Sequence, residues 1–207
     1  TYVREFGCPN SFIHLGWGAM TKNMSPIHLT SNVTEGCTLI ETLFASRLEK
    51  FIFIGSMNEY GNEVGALKED MEPLGKLIDY AKAKIKVANY GYKMANFYNK
   101  IFIHLRPFYV YGPGQRQGSL INELFEAYQH NRVPKIGPCD YYRDYIYVQD
   151  VVEGLVRSVD LAESCTINPV SYTHLRAHET LMNLVCRLLL EKNEMDVNRD
   201  APRCEVM

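Results

Sequence analysis

Phe51-Ile52-Phe53-Ile54-Gly55-Ser56-Met57-Asn58-Glu59-Tyr60-Gly61 is the stretch on which the fold turns. Its four consecutive large apolar residues lack the polar alternation of a half-exposed strand and read as a strand buried on both faces. Gly55-Ser56 ends that strand. The polar run that follows contains Gly61, Gly65, Pro73 and Gly75 and reads as a loop over 57–77. A strand of this kind needs helices on both sides of its sheet.

The flanking sequence supplies them. Phe12-Ile13-His14-Leu15 and Ile101-Phe102-Ile103-His104-Leu105 are similar apolar runs, and Tyr145-Ile146-Tyr147-Val148 is strand-like. From Ser31, apolar residues Val33, Cys37, Ile40 and Phe44 recur at helical spacing, with Glu35, Glu41 and Arg47 on other faces. Asp79 is placed to cap a helix that runs to about Tyr98. Pro107 to Gly118 reads as a Gly/Pro loop, followed by a helix over about Leu120–His130 and another from Asp150 to about Ala162. Buried strands alternating with helices predict an α/β, doubly wound, Rossmann-type parallel sheet.

The 207 residues suffice for one domain with a sizeable core. A formal charge of −2 favours neither nucleic acid nor an anionic membrane as a partner. No apolar run approaches the roughly 20 residues that span a bilayer. The six cysteines, at 8, 37, 139, 165, 186 and 204, form no CxxC pair and fit neither a zinc site nor a disulfide framework. They suit a reducing, cytoplasmic compartment.

The chemistry centres on three residues. Tyr80 and Lys84 are at i and i+4 of a predicted helix, so their side chains share a face. A free tyrosine, with a pKa of about 10, is a poor base at neutral pH. An ammonium beside it favours the phenolate and is expected to lower that value. Ser56 follows the carboxyl end of a strand, where open α/β sheets place their ligands, and its hydroxyl can bond a substrate oxygen that changes protonation. A Tyr-x-x-x-Lys spacing alone is weak, because such pairs arise on many helix surfaces.

Three further segments change its weight: the strand-serine-Tyr60-Gly61 run above, Leu105-Arg106-Pro107-Phe108-Tyr109-Val110-Tyr111-Gly112-Pro113-Gly114-Gln115, and Arg143-Asp144-Tyr145-Ile146-Tyr147-Val148-Gln149-Asp150-Val151-Val152. In this order, over roughly residues 10–168, they resemble the NAD-dependent epimerase/dehydratase family of extended short-chain dehydrogenases, which are sugar-nucleotide enzymes. The resemblance implies NAD or NADP as cofactor, a nucleotide-sugar substrate and a homodimeric parent. It implies that Tyr80 is the acid or base on the sugar hydroxyl, that Lys84 tunes Tyr80 and holds the nicotinamide ribose, and that Ser56 orients the reacting oxygen. Pro107 would lie near the nicotinamide. His14, Leu15 and Gly16 would line the adenosine part, and Asn32 would open the next helix beside the cofactor; ordinary strand and cap roles fit these four equally well. Asn58 and Tyr109 would face the substrate, and Arg143 would pair with its diphosphate, a task suited to a guanidinium.

Departures from the family pattern sharpen the expectation. Its glycine-rich phosphate turn, GxxGxxG, is absent, and Gly16-Trp17-Gly18 is no substitute. The sequence is therefore expected to begin after the third strand of the parent domain and to lack its first strands, leaving a fragment that is itself inactive. The 4,6-dehydratases of the family carry a threonine followed by Asp-Glu, or a related acidic pair, at the Ser56 position. Here Met57 and Asn58 follow, and Glu59 comes one position late, which favours epimerisation or keto reduction. The alternatives are a 4,6-dehydratase using other carboxylates and a non-catalytic dinucleotide-binding relative. Finally, residues 169–193 resemble a translated sequencing adapter. Residues 1–168 are read as the truncated NAD(P)-binding domain with part of the substrate region, and 169–207 as a non-native tail. That reading removes His174, His178 and Glu179 as metal ligands.

Overall fold

A computed structural model describes residues 9–20, 22–62, 65–115, 118–135 and 143–169. The proposed tail from 170 onward lies outside the described residues. Residues 9–110 and 146–169 form one compact unit, and residues 111–145 another.

The first unit is built on a four-stranded parallel sheet in the order β1-β2-β3-β6. Its strands are β1 (Ser11–His14), β2 (Lys50–Ile54), β3 (Ile101–Leu105) and β6 (Cys165–Ile167). Phe12 pairs with Phe51, Ile52 with Ile103, and Ile103 with Cys165. Helices α1 (Ser31–Phe44), α2 (Asp79–Tyr98) and α4 (Val148–Ser158) complete the unit. The side-chain period of two along each strand divides the apolar residues between two layers. Phe51, Phe53 and Phe102 join Ile40, Phe44, Val87 and Ala95 of α1 and α2. Ile52, Ile103 and Leu105 join Val151 and Leu155 of α4. Both faces are thus covered, as the uninterrupted apolar strands predict. Gly91 lets α2 approach β3, because a Cβ there would lie 2.2 Å from Cε2 of Phe102.

Four local expectations are corrected. Asp79 does not cap α2: the cap position is Ile78, and Asp79 pairs with Lys82 at 3.0 Å. The Gly/Pro segment after Pro107 contains a short strand, β4 (Tyr109–Tyr111), which pairs with β5 (Tyr145–Tyr147) in a separate two-stranded sheet. α4 begins at Val148 and ends at Ser158 rather than spanning 150–162. The loop after Ser56 opens with a 3-10 turn, Met57–Tyr60, and is fastened by a bridge between Gly61 and Leu74.

The second unit contains α3 (Leu120–Gln129), whose cap Ser119 accepts from the Asn122 amide at 3.4 Å. Arg132 holds Glu123 through two bonds of 2.6 and 3.1 Å. Among the described residues no helix is long and apolar enough to cross a membrane, and no group of His, Cys, Asp and Glu side chains could hold a metal ion.

Candidate active site

The site lies at the carboxyl end of β2. Ser56 has an extended backbone and caps the 3-10 turn through a reciprocal pair of bonds. Its hydroxyl accepts from the Asn58 amide at 3.2 Å, and its own amide donates to Glu59 Oε1 at 2.7 Å. Met57 N donates to the Pro107 carbonyl at 3.1 Å, which brings the Pro107 segment against the serine turn.

α2 delivers the other two members from one face. Tyr80 and Lys84 are both buried, and the Ser56 hydroxyl lies close enough to the Tyr80 phenol to favour its ionised form. Lys84 Nζ donates to the Ile54 carbonyl at 2.6 Å and lies 3.8 Å from the centroid of the Trp17 ring. The structure therefore brings Ser56, Tyr80 and Lys84 together.

The protonation of this group differs from the sequence expectation. Burial pushes Tyr80 up to about 12, opposed by the Ser56 hydroxyl and reinforced by the charge of Glu59. Burial brings Lys84 down to about 7, opposed by Glu59. The expected lowering of Tyr80 by Lys84 does not prevail, because removal from water is the largest influence on both groups.

Two clusters around the triad escaped the sequence reading. In the first, Trp17 Nε1 donates to His28 Nδ1 at 3.1 Å, and His28 Nε2 reaches the Lys22 carbonyl at 2.9 Å. The His28 ring meets Tyr80 edge-on at 5.3 Å. Asn32 shares this cluster. Its Oδ1 accepts from Gly18 N at 3.2 Å and its Nδ2 donates to Gly18 O at 3.0 Å. It neither caps α1, whose cap position is Thr30, nor leaves its amide uncommitted.

The second cluster is charged. Glu59 faces His104 Nε2 and Arg106 Nε, each at 3.3 Å from Oε2. Glu59 is 1% exposed and His104 0%. Gly55 is required beside them, since a Cβ there would lie 2.2 Å from His104 Nε2 and 2.3 Å from Glu59 Oε1. A His in an apolar strand and a Glu before Tyr60-Gly61 were visible in the sequence. Their separation of 45 residues hid the pairing.

The remaining candidates are dispersed. His14 stacks on Phe53 at 6.1 Å, and burial followed by the Lys84 charge lowers its pKa. Leu15 and Gly16 are exposed where the chain leaves β1. Asn58 and Tyr109 are half-buried, Asn58 in the serine turn and Tyr109 on β4. Arg143 is exposed and belongs to the second unit.

The donors at the end of β2 fit the nicotinamide-ribose end of a dinucleotide: an ammonium, a phenol and a hydroxyl converge there, at the strand end where such ligands bind. The glycine-rich turn that would hold the pyrophosphate is absent from the sequence.

Comparison with known proteins bears on the family and the fold. The model of the NAD dependent epimerase/dehydratase family matches residues 3–168. Over 134 residues the chain is 23% identical to a UDP-glucuronate 4-epimerase of Thermodesulfobacterium geofontis, covering 64% of this chain and 42% of that protein. It is 27% identical over 126 residues to the human dTDP-D-glucose 4,6-dehydratase, covering 60% and 36%. The chain thus spans less than half the length of these curated relatives. Its fold superimposes on the Bacillus cereus UDP-glucuronic acid 4-epimerase solved with NAD, with a TM-score of 0.73 at 24% identity, over 89% of this chain and 61% of that one. Another solved structure of this fold, RMD from Pseudomonas aeruginosa, is complexed with NADPH.

Proposed function

This chain belongs to the NAD-dependent epimerase/dehydratase family, and from that premise we propose that it is part of a sugar-nucleotide epimerase or keto-reductase whose proton relay is Ser56, Tyr80 and Lys84. The observation that carries the proposal is the convergence of the three buried side chains at the end of β2, where Lys84 Nζ donates to the Ile54 carbonyl and Ser56 caps the turn beside Tyr80. NAD(P), when bound, takes a hydride from a sugar carbon and can return it.

The residues of the chain supply the proton side of that exchange. As the sugar C–O bond gains carbonyl character, the hydroxyl proton passes to the Tyr80 oxygen, and in the reverse direction Tyr80 gives it back. Ser56 Oγ holds the same oxygen in place. Protonated Tyr80, the form that burial favours, is ready to act as the acid of keto reduction. Acting as base requires its phenolate, which a charged Lys84 stabilises.

Dehydration is the less supported reading. It needs a further carboxylate acting on the sugar, and Glu59 is committed to the Ser56 amide, His104 and Arg106. In this proposal the sugar diphosphate pairs with Arg143, Asn58 and Tyr109 contact the substrate, and His14, Leu15, Gly16 and Asn32 border the cofactor. The parent is a cytoplasmic homodimer. The 207-residue chain, which carries no GxxGxxG turn, binds NAD(H) weakly; a tight calorimetric isotherm would count against that.

Tyr80→Phe tests the relay in the complete protein. Turnover of a nucleotide-sugar should fall at least about 100-fold while cofactor affinity is retained. Unchanged turnover removes Tyr80 from the role.

A further inference from the structure

Lys84 is 3% exposed, and its ammonium meets one carbonyl and three aromatic rings. Nζ is 3.8 Å from the Trp17 centroid, against 4.8 Å for Phe53 and 5.7 Å for Tyr80. The indole is itself held from several sides. It stacks on His28 at 6.4 Å, meets Tyr80 edge-on at 6.1 Å and tilts against Phe53 at 6.2 Å. Its Nε1–H is fixed by His28, and His28 is fixed in turn by Asn32 and the Lys22 carbonyl.

We propose that Trp17 is a positioning residue for Lys84, holding the ammonium against the indole face beside Tyr80 and shielding it from water.

An indole face attracts an ammonium more strongly than a phenyl or phenol ring does. The same ring keeps water away. Attraction favours the charged form and dehydration the neutral form, and dehydration is the larger effect, because Lys84 is brought down to about 7. The groups facing Lys84 are Tyr80 on its own helix, Trp17 and His14 from β1 and the segment after it, Phe53 and Ile54 from β2, and Glu59 from the serine turn. Glu59 opposes the dehydration. His28 touches Trp17 and Tyr80. The consequence is a lysine whose charge beside Tyr80 switches within the neutral range, at a setting governed by Trp17.

The inference rests on the relay reading only for the role of Lys84. Its test needs neither cofactor nor substrate, so its failure and that of the Tyr80 turnover test are separable. The experiment is NMR of the full 207-residue chain with isotope-labelled lysine. One Hε–Cε resonance should lie upfield of the others, displaced by the indole ring current, and should titrate near pH 7. Lys84→Met should remove it. Trp17→Leu should move it most of the way towards the ordinary lysine position, leaving the smaller displacement due to Phe53 and Tyr80. Trp17→Ala, which opens the recess, should raise its midpoint by about 2 pH units. A wild-type spectrum with every lysine at its ordinary position overturns the proposal without any variant. So does a Trp17→Ala protein whose Lys84 midpoint has not moved.

Discussion

Lys84 and Glu59 are both buried close to Ser56, yet their surroundings differ in kind. Lys84 has one carbonyl oxygen and a set of aromatic faces. Glu59 has an amide, an imidazole and a guanidinium. The aromatic recess leaves the ammonium short of hydration, and burial brings its pKa down to about 7. The charged cluster answers its carboxylate with partners held by β3 and the segment after it. The ammonium sits among rings, and the carboxyl sits against an amide, an imidazole and a guanidinium.

Removing Glu59 should produce the largest effect. Glu59→Ala leaves Arg106 without its buried partner and Ser56 N without its acceptor. A loss of about 3–5 kcal/mol in unfolding free energy is expected for breaking a buried pair, measured by urea denaturation. A loss below 1 kcal/mol, as a rough limit, would show that the cluster is wet and would break the contrast.

Lys84→Met probes the other side and carries the opposite sign. The unfolded chain keeps the Lys84 proton up to the ordinary lysine value of 10.5, whereas the folded chain releases it at about 7. Between those values the unfolded state binds more protons, so stability rises with pH. Below about 7 the burial cost is fully present; it is on the order of 5 kcal/mol from the size of the shift. Loss of the Ile54 bond and of the ring contacts offsets part of the relief, leaving a net gain of roughly 2 kcal/mol for the variant near pH 7. Tyr80 acts at higher pH: its folded value of about 12 exceeds the ordinary 10.0, so its contribution is lost as pH rises through that interval. Denaturation curves at a series of pH values should show the slope between pH 7 and 10 flattening in the variant. An unchanged slope would assign the rise to other groups.

The smallest effect sharpens the comparison from outside the site. Arg157 bonds Glu153 one helical turn away on α4, with side chains 78% and 58% exposed. In water this pair has none of the dryness that gives the Glu59 cluster its weight. Arg157→Ala should change stability by less than about 0.5 kcal/mol, within reach of the same denaturation assay as a null control.

Much of the framework was legible before any coordinates. β3 and the span of α2 match the sequence reading, and β1, β2 and the start of α1 fall within a residue of it, because long apolar and periodic segments dominate local conformation. The short elements were less legible. β4 is three residues long, lies within a Gly/Pro segment and forms by pairing with β5, 34 residues later. The true start of α4, two residues early, depends on where β5 ends rather than on a capping side chain.

The site divides in the same way. The sequence by itself determined the α/β class, the family resemblance and the grouping of Tyr80 with Lys84, because helical spacing places i and i+4 on one face whatever surrounds them. It could also place Ser56 at a strand end. Only the tertiary structure decided the protonation of these groups. Trp17 and His28 come from one end of the unit's chain order, Glu59 from the serine turn, and His104 and Arg106 from β3 and the segment after it. Their proximity is a product of parallel strands stacking side by side. A pKa responds to the water and charge within a few ångströms, and that neighbourhood is assembled from residues far apart in the chain. The sequence therefore named a phenol, an ammonium and a hydroxyl, and the fold set the protonation of the first two.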